Sequence, residues 1–358
     1  MTDARRTKVL FIGGLGRSGT TLLERLLGQL PGALPLGEVA HVWERDVRDD
    51  ESCACGSAFS ACEFWQRVGT AAFGGWDAVD LDRIAALRDT VDRTRHIPAL
   101  ASRRLKTPQH TLVSEYVSYY QRIYAAAAAD SKAKVIIDSS KHASLAYCLR
   151  WCEDIDLRVL HVVRDARGVA YSWAKAVTRP ESSTGDQMTR YSTTRAALLW
   201  NAQNAAFSLL KRRDIPVRRV RYEKLMTDPR GVVARLAKWA EIPVDESQLR
   251  YIGPDYADLG PSHSAAGNPM RFTVGRVPLS YDDAWTHQLS PVRRRIVSTL
   301  TRPLLSKYGY TGAVPKPETA EVTVAAQRAP RQDTPPPTPD TTTDHNADEA
   351  VTTGVGND

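Results

Sequence analysis

The chain has 358 residues, 42% of them hydrophobic and 25% charged, and a formal net charge of +7. This is an ordinary globular balance with ample material for one large core or two smaller ones. No apolar run reaches the roughly eighteen residues of a membrane span, and MTDARRTKVLFIGG enters an apolar run without a signal-peptide pattern, so a cytoplasmic protein is expected. The charge is uneven: from residue 313 onward three Lys/Arg (Lys316, Arg328, Arg331) face eight Asp/Glu, about −5, which leaves about +12 for the rest. Such a surplus suits an anionic ligand or nucleic acid.

Lys8 to Ile12 is a β-branched and aromatic apolar run that reads as a buried strand. Gly13, Gly14, Gly16 and Gly19 break it, and Thr20 to Leu27 then carries leucines at helical spacing. Strand, glycine-rich turn and helix N-terminus make an anion cradle, because backbone N–H groups and the positive end of the helix dipole face the turn. Gly14-x4-Gly19-Thr20-Thr21 has the spacing of a Walker A loop, but Thr20 stands where that loop has Lys, and the cation, Arg17, lies inside the turn. A smaller anion than a metal-bound triphosphate fits such a loop better.

Gly37-Glu38 then places a carboxylate beyond the first helix, with His41 three residues on. Residues from about 50 to 130 read as an insertion capping the site on the acceptor side, and 111–129 reads as a helix ending in an alanine run. Within it, Cys53-x-Cys55-Gly56 and Cys62 offer three thiolates to zinc, but no fourth ligand stands nearby and the spacing is not that of a standard finger. With five cysteines and no secretion signal, free or locally paired thiols and no metal are expected.

Lys134 to Asp138 reads as a second strand, with Ser139-Ser140-Lys141-His142 at its carboxyl end, where ligands gather in parallel sheets. Asp138 and Ser139 suit a cap for the helix that follows. Arg158 to Arg164 is a third strand, and Ser172 lies eight residues past Arg164, two turns into a helix. Residues 178–190 form a polar loop able to close over an acceptor, 191–213 a long helix and 217–222 a fourth strand. Tyr222-Glu223 leads to Asp228-Pro229, a helix start with Glu223 and Asp228 as caps. His263-x3-Gly267-Asn268-Pro269-x-Arg271 reads as a surface turn, and residues 285–308 as a final amphipathic helix. From 313 the composition collapses to Pro, Thr, Asp and Ala, and a disordered tail is expected.

GRSGTTLLERLL, residues 16–27, resembles the 5′-phosphosulfate-binding loop of sulfotransferases that use 3′-phosphoadenosine 5′-phosphosulfate (PAPS). The resemblance extends to DSSK at 138–141, whose Lys in bacterial members faces the transferring sulfonyl group. It also covers a strand-ending Arg with Ser eight residues later, which binds the 3′-phosphate. Tyr222-Glu223 is similar to the family's adenine-side segment, and Gly37-Glu38 to a segment whose Glu is the catalytic base. The H-x3-G-N-P-x-R segment resembles one that closes over the 3′-phosphate in bacterial members, although the Arg-Lys-Gly of cytosolic ones is absent.

The resemblance implies an α/β, P-loop-like three-layer fold over residues 1–312, with a mostly parallel central sheet and helices on both faces. It implies transfer of a sulfonyl group from PAPS to a hydroxyl of a small-molecule, carbohydrate or lipid acceptor, leaving adenosine 3′,5′-bisphosphate, with no metal required. Gly14, Arg17, Ser18, Gly19, Thr20 and Thr21 would then hold the 5′-phosphate, and Arg164, Ser172, Tyr222, Gly267, Asn268 and Arg271 the nucleotide's far end. Arg17 and Lys141 would neutralise developing charge, with Glu38 as base and His142 and His41 behind it. The competing class is a P-loop NTPase or small-molecule kinase, with Asp138 as its strand-ending acid. A nucleic-acid binder is a third, for which no motif is present.

Overall fold

The computed structural model describes residues 6–175 and 190–310. The loop expected at 178–190, save Arg190, and the tail from 313 lie outside the described residues. Five strands, β1 (Thr7–Gly13), β2 (Ala33–Gly37), β3 (Val135–Lys141), β4 (Ile155–Val163) and β5 (Val217–Arg221), form a parallel sheet in the order β2-β3-β1-β4-β5. Around it run α1 (Thr20–Leu27), α2 (Glu63–Phe73), α3 (Leu81–Val91), α4 (Ile97–Leu100), α5 (Thr107–Ser131), α6 (Ala143–Leu149) and α7 (Ala166–Ala174). Then follow α8 (Thr193–Leu210), α9 (Tyr222–Thr227), α10 (Pro229–Trp239), α11 (Trp285–Gln288) and α12 (Pro291–Lys307). An antiparallel pair, β6 (Tyr256–Leu259) and β7 (Gly275–Pro278), stands apart from the main sheet.

The period-two alternation of a strand divides the core. Val9 and Phe11 of β1, with Ile136 and Val159, pack against Val113, Tyr116, Val117, Tyr120 and Tyr124 of α5. Leu10 and Ile12, with Ile137, Leu160 and Val162, face the other way. There they meet Leu22, Leu23, Leu26 and Leu27 of α1 and Val232, Val233 and Leu236 of α10. Each such leucine, removed from water, contributes about 1.5–3 kcal/mol, and coverage of both faces is why the inner strands read as unbroken apolar runs. This is the expected three-layer architecture.

Three elements differ from the sequence reading. α5 packs on the sheet itself, so residues 107–131 are a crossover helix of the three-layer fold rather than part of a cap. β2 escaped notice because Pro35 sits inside it; a proline without an N–H is tolerated because β2 is the edge strand of the sheet, ladder-paired with β3 and meeting Ala265 on its other side only through a single bridge at Gly37. The final helix is two helices, α11 and α12, separated at Leu289-Ser290 and restarted by Ser290, whose hydroxyl caps α12 ahead of Pro291. No described helix is long and apolar enough to cross a membrane.

Candidate active site

Five parallel strands bring their carboxyl ends to one edge, and a cavity of about 490 Å³ opens there. Its floor is the turn from Gly14 to Thr21. Gly14, at φ 144°, lies so close to β4 that a Cβ would stand 2.4 Å from the Val162 carbonyl oxygen. Gly19, at φ 84°, opens α1, and no side chain caps the helix there, so its first N–H groups are available to an anion. Arg17, also left-handed at φ 73°, holds its guanidinium 5.6 Å from the Trp173 ring, whose Nε1 donates to the Gly16 carbonyl at 2.9 Å. Tyr191 stacks on Trp173 at 4.5 Å.

The opposite wall comes from the ends of β2 and β3. Lys141 adopts φ 69°, and its Nζ pairs with Glu38 Oε1. Glu38 Oε2 lies 3.8 Å from His41 Nε2, and the rings of His41 and His142 meet edge to face at 5.4 Å. Burial pushes the Glu38 carboxyl up, but its neighbours, Lys141 foremost, outweigh burial and hold it below the usual range. Burial, together with the neighbouring His142, takes His41 down to about 3, and burial also lowers His142. Both imidazoles are therefore neutral at pH 7, while Arg17, Arg45 and Lys141 supply positive charge around the cavity.

Two buried side chains of α1 position these walls. Glu24 accepts from the Gly37 N–H at 2.7 Å, the Ser139 hydroxyl at 2.6 Å and the Ser264 hydroxyl at 3.3 Å. It thereby joins α1, β2, β3 and the 260–273 loop. Arg25 gives four hydrogen bonds of 2.8–2.9 Å to the carbonyls of Gly260, Met270, Arg271 and Thr273. Asp138 is fully buried, bonded to Tyr124, to the Ser140 hydroxyl and to the Ser140 N–H, and Ser140 in turn accepts from the Ala40 N–H at 2.9 Å. The caps expected from Asp138 and Ser139 are not made: His142 opens α6, and Ser139 serves Glu24. Asp138 is likewise absent from the cavity lining, where a Walker B acid would stand. Asp228 does cap α10 through the Gly231 N–H, whereas Glu223 accepts from the Asp165 N–H and the Tyr310 hydroxyl.

Of the residues singled out from sequence, the cavity gathers Gly14, Arg17, Gly19, Thr20, Thr21, Glu38, His41, Lys141, His142 and Asn268. Ser18, Arg164, Ser172, Tyr222, Gly267 and Arg271 do not line it. Arg164 lies beneath the glycine-rich turn, donating to the Arg17 carbonyl at 3.1 Å and pairing with Asp282 Oδ2 at 3.0 Å, its guanidinium 4.4 Å from the Tyr222 ring. Ser172 is half-buried on α7, one residue before Trp173. Gly267 abuts Glu38: a Cβ there would stand 2.6 Å from Oε1. Arg271 is buried and donates to the Gly267 and Ser52 carbonyls, so the segment read as a surface turn is an internal brace. Trp173, Leu199, Gln203 and Met270 also line the cavity. They went unmarked because single apolar and amide side chains on helices and loops carry no local signature.

Similar solved structures include the sulfotransferase domain of the olefin synthase of Synechococcus PCC 7002, at 20% identity, covering 86% of this chain and 97% of that one, with TM-score 0.41. Sulfotransferase STF9 of Mycobacterium avium is 14% identical over 88% of this chain and 79% of its own, TM-score 0.41. Sulfotransferase STF1 of Mycobacterium tuberculosis H37Rv is 17% identical over 68% and 70%, TM-score 0.39. No curated protein matches the chain. A sequence profile of the sulfotransferase family matches residues 10–246, which span the glycine-rich turn, Glu38, Lys141, Arg164 and the parallel sheet from the middle of β1 onward, and the chain belongs to that family.

Proposed function

We propose that the protein transfers a sulfonyl group from PAPS to a hydroxyl of a small-molecule, carbohydrate or lipid acceptor. The observation that carries this reading is the Glu38–Lys141 pair set across the cavity from an anion cradle built around Arg17 and Thr20. A cradle whose glycines leave no room for a Cβ and whose first α1 N–H groups have no side-chain cap fits a phosphosulfate. Gly14, Ser18, Gly19, Thr20 and Thr21 would hold its 5′-phosphate end. Arg164 and Ser172, beneath and beside the turn, and Tyr222, Gly267, Asn268 and Arg271 are assigned to the nucleotide's far end. The donor supplies an activated sulfonyl group and a stable leaving group.

The chain's own work is charge management. Arg17 and Lys141 would neutralise the negative charge that grows on the leaving oxygen. Glu38 is the base, and its pairing explains how it is switched on. Burial alone raises its carboxyl, and Lys141 is the strongest influence lowering it. When Lys141 turns toward an anion in the cradle, Glu38 becomes the stronger base as the acceptor hydroxyl arrives. His41, already at about 3, is a far weaker candidate. Residues 1–312 form the catalytic domain in this reading, with the segment before α5 walling the acceptor side and 313–358 outside the chemistry.

Calorimetry tests the donor. Adenosine 3′,5′-bisphosphate is expected to bind without metal and more tightly than ATP with Mg²⁺, and Arg164→Ala to weaken it. Lys141→Ala and Glu38→Gln should each lower transfer to an acceptor by about 10²–10⁴-fold while leaving bisphosphate binding within a few-fold of wild type. Preference for ATP with Mg²⁺, indifferent to Arg164→Ala, would turn the reading to a kinase.

A further inference from the structure

Away from the cavity, four soft ligand atoms converge. Cys53, Cys55 and Cys62 Sγ and His263 Nδ1 all lie within 4.8 Å of one another. The closest approaches are 3.6 Å for Cys53–Cys62, 3.8 Å for Cys55–Cys62, 3.3 Å for Cys62–His263 and 3.8 Å for Cys53–His263. A tetrahedron with Zn–S of about 2.3 Å and Zn–N of about 2.0–2.1 Å has S···S edges of about 3.8 Å and S···N edges of about 3.6 Å. A disulfide, at about 2.05 Å, would draw in two sulfurs and leave the third thiol and the imidazole without a role.

Local structure fixes the ligands in place. Gly56, at φ 93°, turns the chain back so that Cys53 N–H bonds the Ser57 carbonyl at 2.9 Å. His263 is fixed by Phe64, stacked at 5.0 Å, and by Trp65 Nε1, which donates to its carbonyl at 2.8 Å. The fourth ligand comes 201 positions after Cys62, which is why spacing within the cysteine cluster could not show it.

We infer that Cys53, Cys55, Cys62 and His263 bind one zinc ion as a closed, structural Cys3His site. Three thiolates and one imidazole match the ligand preference of zinc, and four protein ligands leave no position open for chemistry. The ion ties the cysteine turn to the loop that carries Asn268 and Met270 into the cavity. Two bonds already follow that seam: Ala54 N–H to the Ser264 carbonyl and Arg271 to the Ser52 carbonyl. The site therefore braces the acceptor-side wall without touching a reacting atom, and it stands whether or not the donor is PAPS.

The test is metal analysis of the full-length protein, purified under reducing conditions after zinc supplementation. About one zinc per chain is expected. Cys55→Ser, at the exposed ligand, should lose its zinc to a chelator at least tenfold faster than wild type while remaining folded. Cys62→Ser should abolish stoichiometric binding, and Cys148→Ser, in the core, should change nothing. Replacement by Co²⁺ should give a thiolate charge-transfer band and the intense visible bands of tetrahedral cobalt. Folded wild-type protein that takes up no zinc on reconstitution would overturn the inference. So would zinc retained equally by both ligand variants, or a Cys53–Cys62 disulfide in peptides from unreduced protein.

Discussion

Lys141 carries the cost of the site in its own backbone. A non-glycine residue at φ 69° is disfavoured by about 1–2 kcal/mol, and here that conformation ends β3 with the amine directed at Glu38. Glu38, Lys141 and Arg17 were legible because each sits within a few residues of a strand end or glycine turn that marks it. Asp282 was not, because its partner Arg164 lies 118 positions away and nothing local distinguishes one carboxylate from another. Its presence makes a prediction. If Arg164 receives a 3′-phosphate, the Asp282 carboxylate competes for the same guanidinium. Asp282→Asn keeps the backbone carbonyl that accepts from Arg164 at 2.9 Å and removes only the competing charge. Adenosine 3′,5′-bisphosphate should then bind roughly three- to tenfold more tightly in titration calorimetry. Unchanged or weaker binding would remove Arg164 from the phosphate site.

At the scale of elements, α1 does more than present leucines to the core. TTLLERLL is marked by its leucines at helical spacing, and its two charged residues, Glu24 and Arg25, are almost wholly buried as well. Their partners are backbone groups of β2 and of a loop more than 230 residues away, with the hydroxyls of Ser139 and Ser264, which no periodicity reports. The β6–β7 pair that frames that loop was missed for the same reason. Burial dominates the Glu24 carboxyl and raises it from 4.5 to about 7, against the pull of Ser139, Gly37 and Lys141. A carboxyl raised on folding holds its proton more tightly in the native state. Its contribution is thus fully present below about 4.5 and is lost as pH rises through about 7. Asp46, pushed to about 7, and Asp138, to about 6, act with the same sign. Wild-type unfolding free energy should fall from mildly acidic to mildly alkaline pH, and Glu24→Gln should reduce that fall by about 1–3 kcal/mol in urea titrations. An equal fall in both proteins would mean that Glu24 stays ionised in the native state.

The whole molecule brings distant segments to one edge. With β1 central between β3 and β4, the glycine turn meets Lys141 on one side and Arg164 on the other, and β2 adds Glu38 beyond β3. Strand–helix alternation sufficed to predict a parallel layered sheet, but the strand order that makes those residues neighbours is set by packing on both faces. Charge is divided along the chain as well: about +12 through residue 312 against about −5 beyond it. At low ionic strength a polyanionic ligand responds to the net charge of the whole chain. At about 0.15 M salt the screening length is about 8 Å, and charges not adjoining the site cease to matter. A chain ending at residue 312 should therefore bind adenosine 3′,5′-bisphosphate as tightly as the full chain at physiological salt. At about 0.02 M it should bind a few-fold more tightly, the gap closing smoothly as salt is added. Calorimetric titrations of both chains across that range decide the matter. A truncated chain that loses binding at every salt concentration would place residues 313–358 in the site and overturn their exclusion from the chemistry.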